Sequence, residues 1–193
     1  MNINKHGFGI LLWLLAMTAA QAAEIAGVKL EDRTRVGARE LLLNGAGVRT
    51  RAIFKVYVGG LYLTEKKSSA AEVLALPGPK RVSLSLLRDL SSQQITDALI
   101  DGIKNSQNPQ EMEALQPRVD ELAAILKSIG DAKSGSAITL DYLPEAGTQV
   151  TYNGAPKGSP IAGEALYRAL LRVWLGDKPV DADLKKAMLG QGA

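Results

Sequence analysis

Cysteine is absent from the 193 residues, and the single histidine is His6. These two gaps exclude more chemistry than any motif in the chain suggests. No disulfide holds the fold together. A Ser-His-Asp or Cys-His nucleophile cannot be assembled downstream of residue 6. Zinc, copper and haem lose their usual nitrogen and sulfur ligands, so no metal and no cofactor is expected. Catalysis near neutral pH would have to use Arg, Lys, Tyr, a carboxylate or backbone groups. A glycine-rich phosphate loop is also missing: Gly45-Ala46-Gly47 is too short, is not followed by Lys-Ser/Thr, and reads as a turn. Charge of one sign is not in excess. The 23 Lys and Arg stand against 20 Asp and Glu, giving +3, and they are interspersed, so nucleic acid is not an expected partner.

Long apolar runs are confined to the N-terminus. Lys5 precedes the run Phe8 to Met17, and Ala19-Ala20-Gln21-Ala22-Ala23 follows it. A basic start, an apolar core of about ten residues and an Ala-x-Ala site form a secretory signal. The run is shorter than the roughly 20 residues a membrane span requires. Residues 1–22 are therefore expected to be a signal peptide cleaved after Ala22. That makes the protein periplasmic, with residues 23–193 as one domain and no membrane span after cleavage. Removal of the leader takes Lys5 and His6 with it.

The rest of the chain carries two hydrophobic periods. Val28 and Leu30 alternate within Ala26 to Val36, and Glu40 to Leu43 is a short apolar stretch ended by Asn44-Gly45, a strong turn signal. Ala52 to Leu63 is the clearest strand, with Phe54, Val56 and Val58 on one face and Ile53, Lys55 and Tyr57 on the other. Gly59-Gly60 within it suggests a bulge or a close backbone approach. A short helix is expected at Ser68 to Leu76 and a strand at Arg81 to Leu87. Ser91 caps a helix to Lys104, and a second helix runs from Pro109 to Ile129, kinked or restarted by Pro117. Ala137 to Leu143 and Thr148 to Tyr152 form a hairpin, and Asn153-Gly154 is another turn. Helices at Ile161 to Leu175 and from Asp181 to Leu189 close the chain. Strands, then helices, then a hairpin and helices indicate an antiparallel α+β fold.

Four stretches form an ordered set. They are Gly45-Ala46-Gly47-Val48-Arg49, then Phe54-Lys55-Val56-Tyr57-Val58-Gly59-Gly60-Leu61-Tyr62-Leu63, then Gly147-Thr148-Gln149-Val150-Thr151-Tyr152-Asn153-Gly154, and a helix ending Val173-Trp174-Leu175-Gly176. The set resembles the chalcone isomerase superfamily, most closely its bacterial exported chalcone-isomerase-like branch. The resemblance implies an open-faced sandwich, an antiparallel sheet with helices packed on one face and a ligand cleft between the layers. It also implies roles for two residues. Arg49 stands where the plant isomerases carry the Arg that stabilises the developing enolate. Tyr57 stands where they carry a Thr that orients a catalytic water. An Arg with a Tyr on this strand is similar to the fatty-acid-binding branch, where the pair holds a carboxylate.

The resemblance thus implies a small amphipathic acid or lipid-like ligand in an apolar cleft, anchored by Arg49 and Tyr57, on a monomeric and non-catalytic protein. Lys55 and Tyr167 are further candidate ligand contacts, with Lys55 and Arg51 adding positive potential. The alternatives are an intramolecular lyase acting on an enone-type, chalcone-like substrate with Arg49 and Tyr57 as catalytic groups, or a structural or interaction protein with a closed cleft. Tyr62 and Trp174 read as packing residues, and Asp181 with Asp183 as a helix cap rather than a calcium pair. One geometric condition attaches to the pair. Eight residues of straight strand span about 26 Å, so Arg49 and Tyr57 meet at one ligand only if the chain turns near Thr50 to Ala52.

Overall fold

The computed structural model describes residues 23–191, and the expected signal peptide lies outside the described residues. Two short strands open the chain, β1 (Ala23–Ile25) and β2 (Val28–Leu30). Ala26 and Gly27 between them both have positive φ, 49° and 79°, the backbone of the tight hairpin turn that matches strand twist. The main sheet has seven strands: β3 (Arg33–Val36), β4 (Arg39–Arg51), β5 (Phe54–Leu63), β6 (Lys80–Leu86), β7 (Ala137–Leu143), β8 (Gly147–Tyr152) and β9 (Ala155–Ile161). They lie side by side in chain order, each antiparallel to the next.

Helix α1 (Ala70–Ala75) lies between β5 and β6, and α2 (Ser92–Ser106) and α3 (Pro109–Lys127) between β6 and β7. After β9 come α4 (Glu164–Leu175) and α5 (Ala182–Met188). The helices cover one face of a curled sheet. Strand β6 shows the reason: Val82, Leu84 and Leu86 are buried while Arg81, Ser83 and Ser85 between them are only partly so. That period of two feeds one core, in which Leu61, Leu84 and Leu140 of the sheet meet Ile103, Leu126 and Leu170 of the helices. Capping boxes start α1, α2 and α3 at Ser69, Ser91 and Asn108. Each satisfies two backbone donors that a helix start leaves unpaired.

Several local expectations are corrected. Asn44-Gly45-Ala46-Gly47 is not a turn. It lies inside the 13-residue β4, with Asn44 as the extra residue of a β-bulge between the pairs Leu43–Tyr62 and Gly45–Leu61. The Asn44 amide donates to the carbonyls of Lys67 (2.9 Å) and Met188 (2.8 Å) and accepts from the Lys67 N–H (2.7 Å). Gly45 and Gly47 are small because α5 lies on them: a Cβ on Gly45 would stand 2.1 Å from the Ala187 carbonyl oxygen. Gly59 likewise faces Leu184 of α5. The helix over Pro109–Lys127 runs through Pro117 without a break. Ile161, expected to open a helix, instead ends β9, which turns back on β8 through Asn153 (φ 49°) and Gly154 (φ 79°), and the helix begins at Glu164.

Candidate functional site

The β4–β5 hairpin supplies the turn that the candidate pair requires. Strand β4 ends at Arg51, Ala52 takes φ 53°, and β5 begins at Phe54. Arg49 and Tyr57 are thereby direct cross-strand partners, a relation that places Cβ atoms about 4.5–5.5 Å apart. The register slips between Arg49 and Thr50, because Thr50 pairs with Lys55 and leaves Val56 as an extra residue. This bulge changes which side chains face the helices. Phe54, Val56 and Tyr57 all line the same cavity, which strict alternation would forbid.

That cavity, about 780 Å³, lies between the sheet and α2 and α4. It falls within the range that holds small ligands, roughly 300–1,000 Å³. Its interior is apolar: Leu84, Leu86, Ile138 and Leu140 of the sheet face Leu99 and Val173 of the helices. Exposed residues mark the mouth, with Arg51, Phe54 and Arg88 on the sheet side and Gln94, Asp97, Asp101 and Asn105 on α2.

Two polar groups enter the wall from the hairpin. The Tyr57 hydroxyl accepts a hydrogen bond from the Trp174 indole N–H at 2.9 Å. Its own proton has no acceptor among the described residues. Burial pushes the phenol up to about 12, against the opposing effects of the indole hydrogen bond and the Arg49 charge. The group therefore stays a neutral donor at any physiological pH. Arg49 donates to the Thr50 carbonyl and stands 3.7 Å from the Asp181 carboxylate, with its side chain 21% exposed. A guanidinium carries five N–H donors, so most remain for a ligand.

Asp181 joins this group for a reason of its own. It caps α5, accepting from Asp183 N–H and Leu184 N–H at 3.0 Å each, and it accepts from Thr50 N–H at 3.1 Å. Burial raises its carboxyl, but hydrogen bonds from the Leu184, Thr50 and Asp183 backbones and the Arg49 charge outweigh that. The net effect holds it below the usual carboxylate range. Asp181 thus ties α5 to the β4 end of the hairpin and fixes one side of the Arg49 guanidinium.

The other two candidates lie elsewhere. Lys55 is exposed and does not line the cavity, because the bulge at Val56 interrupts the alternation that would have put it beside Tyr57. Tyr167 is 1% exposed in the core. Its hydroxyl is used on the Leu140 carbonyl at 3.0 Å and its ring stacks on Tyr142, so it does not reach a ligand in this cavity. Two contributors were not visible as such in the sequence. Trp174 read as core and Asp181 as a cap; each is that, and each also holds a polar group of the site. Only the contact across layers reveals the second role. No group of three or more Asp, Glu, His or Cys among the described residues is placed to hold a metal ion. No helix among the described residues is long and apolar enough to cross a membrane.

The comparisons with known proteins agree with this architecture. The fold matches the crystal structure of an Arabidopsis thaliana fatty-acid binding protein with a TM-score of 0.70, over 88% of this chain and 96% of that one, at 15% identity. At that identity the likeness establishes a shared fold. No curated protein matches the sequence. Residues 22–190 match the family described as chalcone isomerase-like, and on that match the chain belongs to the chalcone isomerase-like family.

Proposed function

We propose that this is an exported, periplasmic protein that binds a small amphipathic carboxylate, such as a fatty acid, without transforming it. One observation carries the reading: Arg49 and Tyr57, cross-strand neighbours on one hairpin, present unspent donors to an apolar cavity. A carboxylate would take a charge-assisted bond from the guanidinium and a second from the phenol, while its chain displaces water from the Leu84–Leu140 wall. The matched plant structure is named a fatty-acid binding protein, which supports the same ligand class.

The test is a titration with a long-chain fatty acid, paired with mass spectrometry of what co-purifies. A hydrogen bond to a charged group is worth about 1.5–3 kcal/mol, so Arg49→Ala is expected to weaken binding roughly ten- to a hundredfold with little change in stability. Tyr57→Phe removes a hydrogen bond from a neutral donor but no cation, so it should weaken binding less than Arg49→Ala. Equal affinity of wild type and Arg49→Ala would refute the anchor. The isomerase reading uses the same two residues, and flavanone formation from a chalcone, abolished by Arg49→Ala, would favour it instead. The third reading requires a closed cleft, and a cavity of about 780 Å³ speaks against it.

A further inference from the structure

The tip of the β4–β5 hairpin bears a feature that ligand anchoring does not use. Residues 51–55, Arg-Ala-Ile-Phe-Lys, are all exposed. Among the described residues, Ile53 at 86% and Phe54 at 56% are the exposed large hydrophobic side chains. Single exposed apolar residues are ordinary on a protein surface. Two adjacent ones, on a tip that projects beyond its neighbours, are not. Pairing of β5 with β6 ends at Tyr57–Leu86, and pairing of β3 with β4 spans only the other end of β4, from Val36–Arg39 to Arg33–Leu42. The tip therefore extends past the sheet on both sides.

Cations surround it. Arg51 and Lys55 flank the apolar pair, and the Arg88 guanidinium lies 5.1 Å from the centre of the Phe54 ring. None of the three forms an ion pair among the described residues. The acidic groups at the mouth, Asp97 and Asp101, sit on α2 and not on the hairpin. Arg51, Phe54 and Arg88 belong to the tip and the cavity mouth at once.

We infer that this tip docks on an anionic lipid surface, inserting Ile53 and Phe54 between headgroups that Arg51, Lys55 and Arg88 bind, so that the cavity mouth opens at the source of its amphiphilic ligand. An apolar pair within a ring of cations matches the apolar interior and anionic face of such a surface. The inference rests on the proposed ligand class for its purpose, though not for its test.

The test uses the protein as its producing cell processes it, with the N-terminus checked by mass spectrometry. Co-sedimentation is measured with vesicles of phosphatidylcholine alone and of phosphatidylcholine mixed with phosphatidylglycerol. Wild type should bind the mixed vesicles more tightly, and added salt should weaken that binding. Ile53→Asp should weaken it at least about tenfold, from loss of one buried aliphatic side chain, and Lys55→Gln by about fivefold. Neither residue lines the cavity, so fatty-acid titrations of both variants should match wild type. Absence of wild-type binding to both vesicles would overturn the inference. So would equal binding by Ile53→Asp, or a tip that supports only self-association, seen as a dimer that Ile53→Asp dissolves. A wild-type protein that binds fatty acid but neither kind of vesicle sinks this inference alone. Vesicle docking by a protein that binds no fatty acid sinks the ligand reading and leaves the docking.

Discussion

Two regions of the molecule each bring together an arginine and a tyrosine, and they use them in opposite ways. At the centre, Arg81 of β6 makes two 2.6 Å bonds to Asp141 of β7 and a third to Thr34. Tyr167, packed below on α4, donates its one proton to Leu140. At the β4–β5 end, Arg49 has a single carboxylate at 3.7 Å, and the Tyr57 hydroxyl accepts a bond without giving one. Residue type does not separate the regions. What separates them is whether the polar capacity is already consumed, because a satisfied buried group stabilises the fold and an unsatisfied one at a cavity awaits a partner.

The largest effect that would sharpen this contrast is on stability. Tyr167→Ala empties a fully buried aromatic site and should cost about 3–5 kcal/mol, read from urea denaturation midpoints. Tyr57→Phe keeps the ring but orphans the Trp174 indole N–H, so it should cost less, about 1–3 kcal/mol, while also weakening ligand binding. If the two variants changed stability equally, the division between a filled centre and an open end would fail.

Gly45 offers the next test, because the open end depends on how closely α5 lies on β4. An added methyl group would meet the Ala187 backbone oxygen at 2.1 Å, and backbone cannot rotate away. Gly45→Ala should therefore cost about 1–3 kcal/mol of overpacking. It should also displace α5, whose N-terminal Asp181 holds Arg49, so affinity should fall with stability. A stable Gly45→Ala protein with wild-type affinity would show that α5 does not position the anchor.

The third effect appears with pH. An ordinary tyrosine ionises near 10, and burial raises Tyr57 to about 12. The folded state thus keeps a proton that the unfolded chain releases. The corresponding stability is complete below pH 10 and is lost as pH rises through 12. Burial also raises Tyr62, Tyr142 and, furthest, Tyr167, so ultraviolet titration of phenolate should show several late-ionising tyrosines, and the Tyr57→Phe curve should lose one of them. If the Tyr57→Phe curve instead lost a tyrosine that ionises near 10, the hydroxyl would be solvated rather than facing an apolar wall.

These effects also mark what was legible in the sequence. The alternation in Arg81 to Leu87 and the caps at Ser91 and Asp181 are local signals, and local physics decides those elements. Asn44-Gly45 misled because the same dipeptide that favours a turn also suits a bulge covered by a helix, and the helix, about 140 residues later, is invisible locally. The pairing of Arg49 with Tyr57 was legible as a condition, a turn near Thr50 to Ala52, that the hairpin meets. Lys55 was misplaced because one extra residue at Val56 resets which side chains face the helices, and nothing in Phe54-Lys55-Val56-Tyr57 announces a bulge. Trp174 and Asp181 acquire their second roles only through contacts between layers.

The smallest effect is the most discriminating, because two arguments about Asp181 predict opposite signs. As an anion within reach of Arg49, Asp181 competes with a bound carboxylate; as a cap, it orients the hairpin that carries Arg49. Asp181→Asn separates these. Asparagine caps helices about as well as aspartate, so α5 should stay in place. Its single side-chain oxygen then serves the Asp183 and Leu184 N–H groups, the amide nitrogen faces Thr50 N–H, and that one bond is lost at about 0.5–1.5 kcal/mol of stability. The negative charge is gone, however, and the repulsion it exerts on a carboxylate held by Arg49 goes with it. At the effective dielectric of a partly exposed site that repulsion is about 1 kcal/mol, so fatty-acid affinity should rise roughly fivefold. Unchanged affinity would mean that Arg49 and Asp181 are screened from the ligand. A fall in affinity with no loss of stability beyond that one bond would mean that the pair acts as a unit, with the carboxylate needed to aim the guanidinium. Only the predicted rise leaves Arg49 as a cation whose charge is directed at the cavity.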